Sequence, residues 1–389
     1  MPQKPPSAIG SSGSEWCLLV ECCSPQPDSA RIEELLGHPP NWDALFKLAA
    51  QHGVLAHLAT RLNHLSDASI PVEARKALQE LHRTQIIHTL RITAELLRLV
   101  TMLQGEKMEL PVVKGPVLSA RAYGDAGRRQ YGDLDFLARQ EDIARITRLM
   151  EKAGYKAVVP LVEIEAGRIP GQYLFFRPES RSVIELHTAR TLRYFPKSLP
   201  VDDFYRRKTR VNIDGHEVPA LALEDEFVLI CIHGAKHFWE RLIWIADVAA
   251  LAAQEGKIDW IRVNESASVV GAATMVRAGL HLAEKILRAP IPKEMVRAIA
   301  GDKGLPRIKE TVEKWLPTAG EPPPRIMERA AFRLAMHGGG ISGVGYLLRL
   351  LFSPTEEDWQ ADADARASRV WEKIRRPLRL ARKYGRGGG

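Results

Sequence analysis

Three hydrophobic patterns follow one another along the chain. From about residue 28 to 108, apolar residues recur at helical spacing; in "NWDALFKLAAQHGVLAHLATRLNHL", Leu45, Leu48 and Leu55 fall on one face. From 109 to 222, short β-rich runs alternate with helical ones, and from 223 the helical spacing returns. The order predicts an α+β fold, in which a small α/β core is flanked by N-terminal and C-terminal helical regions.

Within the central segment, each element has its own local signal. "VVKG" is a short β-rich run, and Pro116 after it suits the first turn of a helix. "YGDLDFLA" predicts a strand, and "QEDIARITRLMEKAGY" predicts a helix that ends near Gly154. "QYLFFRPESRSVIELHTA" predicts two strands joined by a turn, and "RVNIDGHEVPAL" predicts a hairpin that turns at Asp214-Gly215.

The two ends of the chain differ from the rest in composition. Residues 1–27 are rich in Pro, Ser and Gly and lack periodicity, which predicts a disordered tail. Residues 223–389 are predicted to form a C-terminal helical domain with a basic tail. From Arg366 to Gly389 there are nine Lys/Arg against one acid, which equals the whole formal charge of +8. Such a segment is either a solvated helix with a frayed end or a contact for an anionic partner such as RNA, a membrane face or an acidic protein.

The remaining composition is that of an ordinary cytoplasmic protein. Hydrophobic residues make up 45% of the chain, and acidic residues interrupt its most apolar stretches, so we expect no transmembrane segment. The run "EWCLLVECC" is too short and too closely flanked by acids for a signal peptide. Four cysteines, three of them near the N-terminus, predict no disulfide framework.

Two acidic residues interrupt the strand "YGDLDFLA". Because side chains alternate along a strand, Asp133 and Asp135 project from one face while Leu134 faces the core. Two such carboxylates repel each other, and nothing nearby in the sequence obviously neutralises them; removing one charge is therefore expected to leave the metal-free protein as stable or more stable. A divalent cation also removes the repulsion, and Mg²⁺ prefers hard oxygen ligands. Glu185, in "SVIELH", is the candidate third carboxylate of the metal site.

Basic residues near the triplet suit a phosphate-bearing ligand. After the β-rich run comes Lys114, and Gly115 then allows the backbone to approach a ligand closely at the start of the next helix. Lys114 and Arg129 add positive charge against a triphosphate. Further along, Lys236 and His237 in "IHGAKHFWERLIW" are candidate contacts to nucleotide or acceptor. The combination favours nucleotidyl transfer, in which metal ions stabilise an in-line displacement at phosphorus.

At these residues the sequence resembles the uncharacterised nucleotidyltransferases of the DNA polymerase β superfamily. The resemblance rests on Lys-Gly followed by Asp-Leu-Asp with an Arg four places before it, then "AGY", "IELH", "IDGHEVPAL" and "IHGAKHFWERLIWIADVAAL". It implies that Asp133, Asp135 and Glu185 are the catalytic metal carboxylates and that Gly115 lies in the phosphate loop. Pro116 stands where many members of the superfamily have Ser, so a hydroxyl contact to phosphate is missing and Lys114 is the candidate replacement.

The implied activity is Mg²⁺-dependent transfer of a nucleoside monophosphate from a nucleoside triphosphate to a hydroxyl or phosphate acceptor. The acceptor is left open among a protein, a peptide, a small molecule such as a sugar phosphate, and RNA. Two alternatives also stay open: a glycosyltransferase that holds a sugar nucleotide through Asp-x-Asp, and a nucleotide-binding regulator without turnover.

Overall fold

A four-stranded mixed sheet forms the centre of the computed structural model, which describes residues 13–63, 65, 70–165, 171–189, 197–318, 325–338, 343–346 and 348. Its strands are β1 (Asp133–Leu137), β2 (Lys156–Ala157), β3 (Gln172–Arg177) and β4 (Ser182–His187), in the order β1-β4-β3-β2. β1 is parallel to β4, and β3 is antiparallel to both of its neighbours. The strands and the turn predicted for this segment are present.

The predicted hairpin also forms and extends the sheet system. β5 (Thr209–Ile213) pairs with β6 (His216–Ala220) around Asp214 and Gly215, both at positive φ as a tight turn requires. Val112 bridges Phe136 of β1 and Ala220 of β6, so the predicted run "VVKG" is a short extended connection between sheet and hairpin.

Helices come before, between and after the strands along the chain. They are α1 (Ser14–Cys23), α2 (Ser29–Leu36), α3 (Trp42–Gln51), α4 (Leu55–Leu62), α5 (Val72–Gly105), α6 (Pro116–Tyr123), α7 (Ile143–Lys152), α8 (Leu161–Glu165), α9 (Val201–Arg207), α10 (Leu223–Lys236), α11 (Leu242–Ala252), α12 (Trp260–Val270), α13 (Ala273–Leu287), α14 (Lys293–Gly301), α15 (Leu305–Trp315) and α16 (Ile326–Met336). The predicted α+β class, a small sheet with helical flanks, is confirmed.

The described residues form two hydrophobic cores, and these do not follow the order of the segments along the chain. One core joins the sheet, α7 and the second half of α5. The other joins α1–α4 with α10–α16, so the helices before the sheet and those after it pack together. The N-terminal and C-terminal helical segments, predicted as separate regions, therefore share one helical core.

The predicted disorder of residues 1–27 is wrong over α1. Trp16, Leu18 and Leu19 are buried in the helical core, where α1 packs against α3, α4 and α13. The buried Glu21 pairs with Arg288 at the end of α13. These partners lie far away in sequence, which explains why local composition failed to indicate order; residues 1–12 lie outside the described residues.

Three arginines outside the C-terminal helices form ion pairs with buried carboxylates of α10 and α11. The pairs are Arg121–Glu226, Arg207–Asp225 and Arg129–Asp247. In the sequence these acids appear as charges that interrupt apolar helices. Because breaking a buried pair leaves an uncompensated charge, the three pairs fix how α10 and α11 lie against the sheet.

None of the helices in the described residues is both long and apolar enough to cross a bilayer. The four cysteines carry free thiols. The basic tail from Arg366 to Gly389 lies outside the described residues.

Candidate active site

Acidic side chains meet where β1 and β4 run side by side. The parallel register places Asp135 directly opposite Glu185, while Leu134 and Ile184 fill the core on the other face of the strands. Asp135 is fully buried, Glu185 is half-buried, and 35% of the Asp133 side chain is exposed. The structure thus brings two of the three predicted carboxylates into register and leaves Asp133 nearer the rim.

Lys114 lies between the two aspartates. Its Nζ is 2.8 Å from Asp135 Oδ2 and 3.5 Å from Asp133 Oδ2, and 15% of its side chain is exposed. Burial lowers the pKa of Lys114, but the charges of Asp135 and Asp133 outweigh it and raise the pKa above its ordinary value. The expectation that nothing neutralises the aspartates was wrong, because the lysine lies 19 residues before Asp133 and reaches it only in the fold.

His187, which was not predicted as a site residue, lies beside Asp135 and Glu185. Its Nε2 is 2.7 Å from Asp135 Oδ1 and 3.4 Å from Glu185 Oε2. The signal was present, since His187 follows Glu185 by two residues and therefore shares its strand face. One ligand atom each from Asp135, Glu185 and His187 lies within 4.8 Å of the others.

The electrostatics of the two buried carboxylates differ. Burial alone would raise the pKa of Asp135, but the Lys114 ammonium and the hydrogen bond with His187 outweigh it and hold the pKa below its usual range. Burial, followed by the charge of Asp135, raises the pKa of Glu185. Gln172 Nε2 donates a hydrogen bond of 2.7 Å to Glu185 Oε2 and fixes that carboxylate from β3.

The Lys-Gly turn lies against the same strands. Gly115 has φ 69°, which favours glycine, and it precedes α6, whose first residue is Pro116. A Cβ at Gly115 would lie 3.7 Å from the carbonyl oxygen of Asp133, so the turn approaches β1 closely. Apart from Pro116, which has no N–H, the residues of the first turn of α6 have N–H groups without partners inside the helix.

A cleft opens between this edge of the sheet and helices α10 and α11. Lys114, Asp135 and His187 line it from the sheet side, and His233 and Trp244 line it from the helices. Most of the remaining lining is aliphatic. The cleft therefore combines a polar end, where the carboxylates lie, with an apolar wall.

Arg129, predicted to contact a triphosphate, lines the cleft but is buried against another partner. Its Nε donates to Asp247 Oδ2 at 2.8 Å, and Tyr123 also donates to Asp247, at 2.9 Å. Burial lowers the pKa of Arg129, and the charge of Asp247 reverses this and raises it. Sequence reasoning missed Asp247 as the partner of Arg129. The contact of Arg129 with phosphate stays a prediction.

Lys236 and His237 differ in position. Lys236 lines the cleft, as predicted for a ligand contact. His237 packs its ring against His233 and Trp244, with centroids 4.7 and 5.3 Å away. Burial lowers the pKa of His237 to about 3, so the ring is neutral at pH 7. Its neighbours His233, Lys236 and Trp244 line the cleft, and a contact of His237 with nucleotide or acceptor stays a prediction.

The donor set fits a divalent cation. Carboxylate oxygens and an imidazole nitrogen converge, and the partner of Asp135 Oδ2 is the Lys114 ammonium, 2.8 Å away. A buried carboxylate oxygen held only by an ion pair is available for a metal ligand bond. Asp135 and Glu185, with Asp133 at the rim, are the residues that would hold the ion.

Comparison with known proteins gives a family. A crystal structure of an antigenic nucleotidyltransferase-like protein from Paracoccidioides brasiliensis is similar to this chain at 17% sequence identity, over 52% of this chain and 94% of that one, with a TM-score of 0.31. No curated protein sequence matches the chain. The sequence profile of a family described as "uncharacterised nucleotidyltransferase" matches residues 38–288, which include every site residue described above. The chain belongs to this uncharacterised nucleotidyltransferase family.

Proposed function

We propose that the protein is a metal-dependent enzyme that transfers a nucleoside monophosphate from a nucleoside triphosphate to a hydroxyl or phosphate oxygen of an acceptor. The observation that carries the proposal is the placement of Asp133 and Asp135 on β1 beside Glu185 on β4, next to the Lys-Gly turn and at the polar end of a cleft. Family membership supports the same reaction class.

In the proposed reaction, an acceptor oxygen attacks the α-phosphorus and the bond to the β-phosphate oxygen breaks. Pyrophosphate leaves, and the acceptor's proton passes to solvent. Mg²⁺ held by Asp133, Asp135 and Glu185 would supply charge neutralisation for the triphosphate and activation of the acceptor oxygen. The cation is the one predicted from the hard oxygen donors.

The chain's own residues bind and orient the triphosphate. N–H groups at the start of α6, exposed by the Gly115 turn, are proposed to donate to phosphate oxygens. Lys114 neutralises the aspartates in the metal-free protein and is proposed to turn to the phosphates when a cation takes its place. The apolar wall of the cleft would exclude water from the reacting groups.

Pyrophosphate release tests the reaction directly. The full chain is incubated with each of the four nucleoside triphosphates, labelled at the α-phosphate, together with Mg²⁺ and cell extract as a source of acceptors. We expect release of pyrophosphate and one labelled product, and loss of both in Glu185→Gln. Glu255→Gln, which alters an exposed carboxylate in the loop after α11, is the matched control and should retain activity.

Two outcomes would contradict the proposal. Nucleotide binding without pyrophosphate release for any of the four triphosphates would indicate a regulator without turnover. Equal activity of Glu185→Gln and the wild-type protein would remove the carboxylates of the sheet edge from the reaction.

A further inference from the structure

His187 lies at the end of β4, beside Asp135 and Glu185 of the candidate metal site. It is the last residue of β4 and lies opposite Leu137 in the parallel register, two residues beyond the Asp135–Glu185 pair. Its side chain lines the cleft with 14% of its surface exposed. The ring is therefore fixed at the acidic cluster and is still open to a ligand from the cleft.

One atom of the ring faces two carboxylates at once. Nε2 is 2.7 Å from Asp135 Oδ1 and 3.4 Å from Glu185 Oε2. A single N–H makes one strong hydrogen bond, so a hydrogen-bond role alone accounts for the contact with Asp135 and leaves the approach to Glu185 unexplained. Convergence of one nitrogen and two carboxylate oxygens within 4.8 Å is the arrangement of a cation's ligands.

Charge also favours this set of three. Asp135 and Glu185, when both are ionised, carry a charge of −2, which one divalent cation balances. Asp133, which is not part of this convergent set, stays at the rim within 3.5 Å of Lys114. The lysine that neutralises Asp135 in the metal-free protein therefore also lies beside Asp133, which is outside this set of three.

We propose that His187 Nε2 is a metal ligand together with Asp135 and Glu185, and that the site consequently binds Mn²⁺ more tightly than Mg²⁺. An imidazole ligand favours first-row transition metals, whereas Mg²⁺ prefers oxygen donors throughout. This inference rests on the proposed function, since it specifies the metal of the same site. It adds an imidazole nitrogen to the carboxylate ligands of the proposed site.

Mn²⁺ binding to the full chain tests the assignment without any reaction. Electron paramagnetic resonance of free Mn²⁺ gives the affinity, and pulsed measurements of the bound ion detect a directly bonded nitrogen. We expect ¹⁴N coupling in the wild-type protein, replaced by ¹⁵N coupling when histidine is supplied as the ¹⁵N-labelled amino acid. Because labelling leaves the sequence unchanged, this readout does not depend on whether a variant folds.

Variants assign the nitrogen to one residue. His187→Gln should lose the coupling and bind Mn²⁺ about tenfold more weakly or worse, with a smaller loss for Mg²⁺ measured by competition. The control His216→Gln, at an exposed position of β6, should match the wild-type protein.

The outcomes separate the two proposals. Bound Mn²⁺ without nitrogen coupling, even with weakened binding in His187→Gln, would make His187 only a positioning residue for Asp135 and overturn this inference while leaving the proposed function intact. Equal affinity of the wild-type protein for Mg²⁺ and Mn²⁺ would also overturn it. Failure of the wild-type protein to bind either ion, with or without nucleotide, would overturn both.

Discussion

Replacing Asp135 with Asn tests whether the contact with Lys114 stabilises the metal-free site. Asp135 is 1% exposed, and its Oδ2 lies 2.8 Å from a lysine that is also largely buried. Removing one partner of a buried ion pair costs about 3–5 kcal/mol of the free energy of unfolding. Asp133 stays 3.5 Å from the Lys114 ammonium, so we expect a loss near the lower end, about 3 kcal/mol. This is the reverse of what the sequence alone predicts.

Urea unfolding followed by circular dichroism at pH 7 in EDTA measures the loss. Asp133→Asn is the matched control, and because its side chain is 35% exposed we expect it to cost about 1 kcal/mol or less. Adding Lys114→Met to Asp135→Asn should recover part of the stability, with a coupling energy of about 2 kcal/mol. An Asp135→Asn variant as stable as the wild-type protein, or equal losses in the two Asn variants, would refute the reasoning.

Four further predictions can each be tested separately. Burial lowers the pKa of His57 to about 3, from about 6.5 in the unfolded chain. Its contribution to stability is therefore present above pH 6.5 and is lost as the pH falls towards 3. In urea unfolding, the free energy of unfolding should fall less between pH 6.5 and pH 4 in His57→Phe than in the wild-type protein. In Gly234→Ala the new Cβ would lie 2.4 Å from the Trp239 ring, so thermal melts should show a loss of about 1–3 kcal/mol, absent from Gly105→Ala, where nothing lies within 4 Å. Deleting residues 366–389 should leave metal and nucleotide affinity nearly unchanged in calorimetric titration, and a large loss with the fold intact would contradict this. Nucleoside triphosphate should bind much more weakly in EDTA than with Mg²⁺ or Mn²⁺, and equal affinities would contradict a metal-bridged complex.

The parts of the fold that the sequence predicted are those encoded by local patterns. The β3–β4 turn, the hairpin at Asp214-Gly215 and the helix before Gly154 all depend on neighbours within a few residues. Strand periodicity also placed Asp135 and Glu185 on faces that the structure brings together. The same periodicity applied to His187 would have added it to the candidate site.

What the sequence alone did not show is the pairing of groups that are distant from each other in sequence. α1 is ordered because the helices after the sheet bury it, and the composition of residues 1–27 contains no trace of those partners. Arg129 looked available for a ligand because Asp247, 118 residues later, looked like an interruption in an apolar helix. A charge in a sequence has no visible partner until the fold supplies one, so local reasoning overestimates how many basic residues are free to bind a ligand.

The pairing of basic residues with carboxylates also bears on the order in which metal and triphosphate bind. Lys114, Arg129 and Lys236 supply three positive charges to the cleft and the carboxylates beside it, and Asp133, Asp135, Glu185 and Asp247 supply four negative ones. These seven side chains, when ionised, have a net charge of −1. A bare triphosphate would enter a site with no excess of positive charge, and Arg129 is already held by Asp247. In the proposed function, one divalent cation would change this net charge to +1 and would weaken the hold of Asp135 on Lys114. On the proposed function, the metal would supply positive charge for the triphosphate as well as for the reacting groups, which would account for a carboxylate-rich cleft in a nucleotidyltransferase family.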